Sequence, residues 1–202
     1  IAAVQQLAGR PLPALYLGYL EHFGADDGPI ELCDDASCSA AAVVRYVRKK
    51  ADSEWAIAPP NSVLISVRAL SFARSLRYDD PDEPVVVIND GDFVTEVVAD
   101  SFGVYLYRQT WLHRYFWKGK KVIHLRRGKD VSIADVAATL GPLGFAATAF
   151  SDDRRFTGER GDIRVQARTD PEFLRVAVAG EDLWRTGTAA NEIAAAVGME
   201  EH

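Results

Sequence analysis

The chain alternates between two periods. Ile1, Val4 and Leu7 fall on one helical face, and Gly9 predicts the end of that short helix. Pro13 fits the first turn of a second helix, where its missing N–H costs nothing. Tyr16, Tyr19, Leu20 and Phe23 give that helix one aromatic stripe, and Gly24 is expected to end it in the left-handed conformation. Asp26-Asp27-Gly28-Pro29 reads as a turn, and Ile30 to Cys33 as a short strand. Ser39 can cap a third helix running to about Asp52. Ala40, Val43, Val44, Val47 and Ala51 form its inward face, with Arg45, Arg48, Lys49 and Lys50 outside.

From Val63 to Val98 the pattern shifts to strands. Val63–Val67, Phe72–Tyr78, Val85–Asn89 and Asp92–Val98 are strand-like. Asp90-Gly91 between the last two predicts a tight antiparallel hairpin with positive φ at both central positions. Asp100 or Ser101 then caps a helix to about Trp117. Phe102, Tyr105, Leu106, Leu112 and Phe116 make that helix apolar over most of its circumference. Lys118-Gly-Lys-Lys121 is the natural boundary, giving domains 1–117 and 118–202.

Beyond it, Val122 to Leu125 is a strand. Ser132 and Asp135 make a capping box for a helix whose Ile133, Val136, Ala137 and Leu140 face inward. Phe145–Phe150, Ile163–Ala167 and Phe173–Val178 read as strands, and Thr188–Val197 as a last helix closed by Gly198. The fold class expected is α+β: an antiparallel curved sheet flanked by helices, then a second small α+β domain with a sheet and its helices on one face.

Composition narrows the classes. The 202 residues are 48% hydrophobic, enough for a packed core. No apolar run approaches the roughly 18 residues of a membrane span, and no leader pattern is visible. Because the first residue is Ile, some native N-terminus is expected to be missing. Cys33 and Cys38 suggest reduced thiols of a cytoplasmic protein, local pairing being the lesser reading. The net charge of −6 is uneven. Up to Trp117 there are ten Lys and Arg against sixteen Asp and Glu; from Lys118 onward there are thirteen against thirteen. An acidic first part disfavours direct nucleic-acid binding and draws basic partners, although mild acidity also serves solubility alone.

The chain carries no phosphate-cradling loop, dinucleotide fingerprint, nucleophile elbow or paired zinc-binding histidines. His22, His113, His124 and His202 are scattered, and Cys33 to Cys38 lacks the second ligand pair that zinc needs. Asn89 to Glu96 is better explained as a turn than as a calcium loop. No cofactor, metal or catalytic residue is expected. Trp111, Tyr115, Phe116 and Trp117 before Lys118, Lys120 and Lys121 imitate an aromatic-basic strip, but their helical spacing favours packing. Two acidic clusters remain, one containing Asp26 and Asp27 and the other Asp79, Asp80, Asp82 and Glu83. They are solvated loops first, and candidate rims of a partner-binding surface second.

Several of these features occur in a characteristic order. The Leu12-Pro13 helix entry comes first, then the Tyr16/Leu20 stripe, Gly24, and Leu76-x-Tyr78-Asp79 before a loop. The Pro84-Val85-Val86 strand and Val98-Ala99-Asp100-Ser101-Phe102 entering a helix complete it. In that order and spacing, residues 1–117 resemble the SUKH superfamily. The resemblance implies a compact α+β domain that binds proteins without catalysis. Its implied role is that of an immunity protein neutralising a cognate bacterial toxin, often a nuclease or deaminase. A regulatory scaffold for other cellular proteins is the alternative, and a hydrolase using the acidic loops a distant third. The matching residues are caps, turns and core aromatics, so no functional residue is carried over. The tail from Lys118 lies outside the resemblance.

Overall fold

The computed structural model describes residues 1–25, 32, 37–51, 57–67, 72–79, 83–118, 121–128, 131–169 and 173–201. It is an α+β protein of two compact units, Ile1–Trp111 and Leu112–His202. The division falls inside a helical stretch, ahead of the lysine-rich segment that the sequence offers as a boundary.

The first unit opens with α1 (Ala2–Ala8), α2 (Ala14–Phe23) and α3 (Ala40–Lys50). Pro13 is the residue before α2, not in its first turn: its ψ of 139° is non-helical. Gly24 ends α2 with φ −70°, so the expected left-handed stop is absent. Glycine is required there for space, because a Cβ would lie 2.4 Å from the Leu20 carbonyl oxygen. Ser39 caps α3 by accepting the Ala42 N–H at 3.3 Å. Of the expected inward face of α3, Val43 is buried, Val44 and Val47 are half-buried and Ala51 is exposed. The turn at 26–29 and most of the Ile30–Cys33 strand lie outside the described residues.

Four strands follow, β1 (Ser62–Ser66), β2 (Phe72–Arg77), β3 (Val85–Asp90) and β4 (Phe93–Ala99). They form an antiparallel meander in the order β1-β2-β3-β4. The β3–β4 loop is Gly91-Asp92, since Asp90 pairs directly with Phe93. Gly91 has φ 58°, while Asp90 and Asp92 keep negative φ. Glycine alone at the first central position is the type II′ arrangement, not the doubly positive one that Asp-Gly suggests.

Val63, Ile65, Leu76 and Val86 of this sheet pack with Tyr16, Tyr19 and Leu20 of α2 and with Phe102 and Tyr105 of the next helix, α4 (Phe102–Trp111). The Phe102 ring meets Tyr16 edge-on at 5.2 Å. The Tyr105 hydroxyl donates to the Leu32 carbonyl. Ser101 caps α4 through the Val104 N–H at 3.2 Å. Arg108, fully buried, donates to the Val98 carbonyl at 2.6 Å and so ties α4 to the end of β4. The expected continuous helix to Trp117 becomes a π-helical turn over Leu112–Phe116, closed by Trp117 N–H to Leu112 C=O at 2.8 Å.

The second unit contains β5 (Lys121–Gly128), α5 (Ile133–Leu140), β6 (Ala146–Ala147), β7 (Arg155–Arg160), β8 (Ile163–Thr169), β9 (Phe173–Gly180), α6 (Leu183–Val197) and β10 (Glu200–Glu201). The antiparallel sheet order is β10-β5-β9-β8-β7-β6. Ile133, Val136 and Leu140 of α5, with Ala189, Ala190 and Ile193 of α6, bury one face of this sheet. The capping box at Ser132 and Asp135 forms as expected.

Three details of the second unit differ from expectation. The strand at Phe145–Phe150 shrinks to two paired residues, because from Thr148 the chain folds back on Thr157. β7 carries too few apolar residues to be seen as a strand. α6 begins at Leu183 because Asp182, not a residue near Thr188, caps it through the Arg185 N–H at 2.8 Å. The β7–β8 loop repeats the first hairpin, with Gly161 at φ 64° followed by Asp162.

Candidate functional site

Of the acidic residues expected at a partner surface, Asp79 and Glu83 are described, and both are exposed. Asp79 forms a forked contact with Arg77, whose Nε and Nη2 donate to one carboxylate oxygen at 2.8 and 2.5 Å. A pair this close in sequence and this open to water answers the charge locally and contributes little stability. Asp26, Asp27, Asp80 and Asp82 lie outside the described residues. Among the described residues no group of three or more His, Cys, Asp or Glu could hold a metal, and no helix is long and apolar enough to cross a membrane.

The first sheet presents a different surface, at the hairpin end of the face that packs on α2 and α4. Strand pairing places Phe72 opposite Asp90 and Asp90 opposite Phe93, so the three form one row across β2, β3 and β4. The neighbouring row is Arg74–Ile88–Glu96. Side chains alternate faces along a regular strand, so Phe93 and Glu96 would point to opposite sides. A register shift between Ile88 and Asn89 inserts an extra residue in β4 and returns Phe93 to the side of Glu96 and Phe72. Phe93 is 73% exposed and Phe72 47%. Asp90, Asp92 and Glu96 surround them, all exposed, and Arg74 is the one cation in the two rows. Two exposed aromatic rings inside an acidic border are suited to enter apolar recesses on a basic protein.

A cavity of about 310 Å³ opens in the same unit between α1, α3 and β1, lined by Val4, Leu7, Val43, Val47, Ile57 and Leu64 among others. The Ser62 hydroxyl at its border is engaged with the Pro59 carbonyl at 2.5 Å. The described lining residues offer apolar contact, and among them no acid, base or nucleophile converges.

The aromatic-basic strip resolves into two parts. Trp111 and Phe116 are buried, in line with packing. Tyr115 and Trp117 are nearly half exposed: Arg164 lies 5.4 Å from the Tyr115 ring, and His124 lies 6.5 Å from that of Trp117.

Sequence reasoning did not single out Phe72 or Phe93. Phe93 follows the hairpin turn and could have been read as an exposed ring, but joining it to Phe72 needs the register and the bulge. No protein-family model, no curated protein and no solved structure matches this chain.

Proposed function

We propose that this chain is a non-enzymatic protein-binding protein of the immunity type, acting in the cytoplasm to neutralise a basic protein toxin such as a nuclease. The observation that carries this reading is the Phe72–Asp90–Phe93 row, two exposed rings held in register across three strands and bordered by carboxylates. Aromatic side chains on a rigid sheet bind with little loss of conformational freedom, and their acidic border speeds encounter with a basic surface. The SUKH resemblance of residues 1–117 points the same way.

The test uses the purified chain and the toxin domain encoded beside its gene. The expected result is a stable complex that blocks the toxin, with Phe93→Ala and Phe72→Ala each weakening it by about tenfold or more. Absence of a complex overturns the reading. A complex indifferent to both substitutions removes this surface from it.

A further inference from the structure

A cavity of about 420 Å³ lies in the second unit between the β7–β8 hairpin and the first two turns of α6. Arg160, Gly161 and Ile163 line it from the hairpin, and Trp184, Arg185 and Thr188 from the helix. Its size falls within the range of about 300–1,000 Å³ of small-ligand clefts.

The helix packs on the sheet through Thr186, Ala189, Ala190, Ile193 and Val197. Trp184, Thr188 and Glu192 recur every four residues on another side and are exposed. Trp184 is 77% exposed, so the fold does not use its ring. Among the described residues its indole meets no other ring and no cation, and its N–H has no hydrogen-bond partner. A flat apolar ring therefore stands open at the edge of the cavity.

The charges beside it are paired. Arg160 meets Glu192 at 2.8 Å, and Arg185 meets Asp162 at 2.7 Å. Arg160 is further held by the Leu143 carbonyl at 2.9 Å and by the Phe145 ring, whose centroid lies 4.6 Å from its guanidinium carbon. The four groups sum to zero charge, yet they keep bonding capacity. Each pair engages one carboxylate oxygen, Oε2 of Glu192 and Oδ1 of Asp162, and among the described residues the other oxygen accepts nothing. Each guanidinium has five N–H donors, more than these contacts use. The Thr188 hydroxyl donates to the Trp184 carbonyl at 3.0 Å and can still accept. Asp182 already caps α6, so the helix end offers no open anion site.

We propose that this cleft binds a neutral saccharide of about two rings, one pyranose lying on the Trp184 indole and its hydroxyls bridging the two ion pairs. The C–H face of a sugar ring suits the negative face of an indole. Each sugar hydroxyl both donates and accepts, and so can meet a carboxylate oxygen and a guanidinium N–H together. An anion would compete with Asp162 and Glu192 for the same guanidinium forks. A purely apolar partner would cover the indole but strip water from two ion pairs without replacing it. The proposal is independent of the Phe72–Phe93 surface.

Isothermal titration calorimetry and saturation-transfer NMR of the full chain with cellotriose, maltotriose and N,N′-diacetylchitobiose test it. At least one of the three should bind, with a Kd of about 1 mM. Trp184→Ala should weaken that binding by about tenfold or more. Its melting temperature should stay within about 2 °C of the parent's, because the ring is exposed. Asp162→Ala and Glu192→Ala should each weaken binding about tenfold. Affinity should change less than about twofold between low and high salt, since the ligand is uncharged. Phe93→Ala should bind the saccharide as the parent does, which separates this test from that of toxin binding. No binding of any of the three, equal binding by Trp184→Ala, or displacement of the saccharide by inorganic phosphate overturns the proposal.

Discussion

The Ser75 hydroxyl donates a 2.7 Å hydrogen bond to Asn89 Oδ1 across β2 and β3, and both residues are fully buried. Asn89 Nδ2 in turn donates to the Gly91 carbonyl at 2.9 Å. A buried polar pair inside a sheet thus fixes the hairpin that carries Phe93. Ser75→Ala leaves the amide oxygen of Asn89 without its donor, and a loss of about 1–3 kcal/mol is expected in urea unfolding. Asn89→Ala should cost a comparable amount. The double variant should lose less than the sum of the two, because the second change removes a group already stranded by the first.

Phe93 and Phe102 make a matched comparison. Phe102, at 3% exposure, fills the aromatic core between α2 and α4, so Phe102→Ala should destabilise by about 3–5 kcal/mol. Phe93→Ala should change stability by no more than about 0.5 kcal/mol. Equilibrium unfolding of both variants checks this. A large loss in Phe93→Ala would mean that the ring packs against the protein itself.

Three glycines separate space from propensity. A Cβ on Gly180 would lie 2.4 Å from Thr186 Oγ1 and 2.7 Å from Ile163 Cδ1. Gly180→Ala should therefore destabilise by about 1–3 kcal/mol. Gly18 in α2 and Gly187 in α6 would meet nothing within 4 Å. Gly18→Ala and Gly187→Ala should each stabilise by about 0.5–1 kcal/mol through helix propensity. Melting temperatures of the three variants should move in these opposite directions.

The α5 capping box gives a pH dependence of known sign. The Ser132 hydroxyl donates to Asp135 at 2.7 Å, and the Ser132 backbone N–H also donates at 3.0 Å. In that order these bonds hold the Asp135 carboxyl below its ordinary value of 3.8. A depressed carboxyl adds stability above its unfolded pKa, and that share is lost as pH falls through the folded value. Asp135→Asn should be less stable than the parent at neutral pH, and the two should converge below about pH 4. Denaturation midpoints measured between pH 7 and pH 3 report the convergence, and a constant difference would contradict it.

The local grammar of the chain was legible without coordinates. Ser39, Ser101 and the Ser132–Asp135 box announce their helices, because a cap depends on residues within one turn. The period-two runs from Val63 to Val98 announce an antiparallel sheet, and the aromatic stripe at Tyr16, Tyr19 and Leu20 announces the face that packs on it. β7 escaped notice because Arg155-Phe-Thr-Gly-Glu-Arg160 is strand-like only when β8 and β6 supply its partners. The buried Arg108 escaped because nothing local distinguishes it from a solvated helix arginine.

What the sequence by itself determined was therefore the helices and most of the strands, since backbone dihedrals and side-chain alternation are set within a few residues. Only the tertiary structure decided which faces meet. Register aligned Phe72, Asp90 and Phe93 across three strands, and one bulge in β4 turned Phe93 to the side of Phe72. Register depends on partners distant in the chain, and a shift of one residue exchanges every side chain between faces.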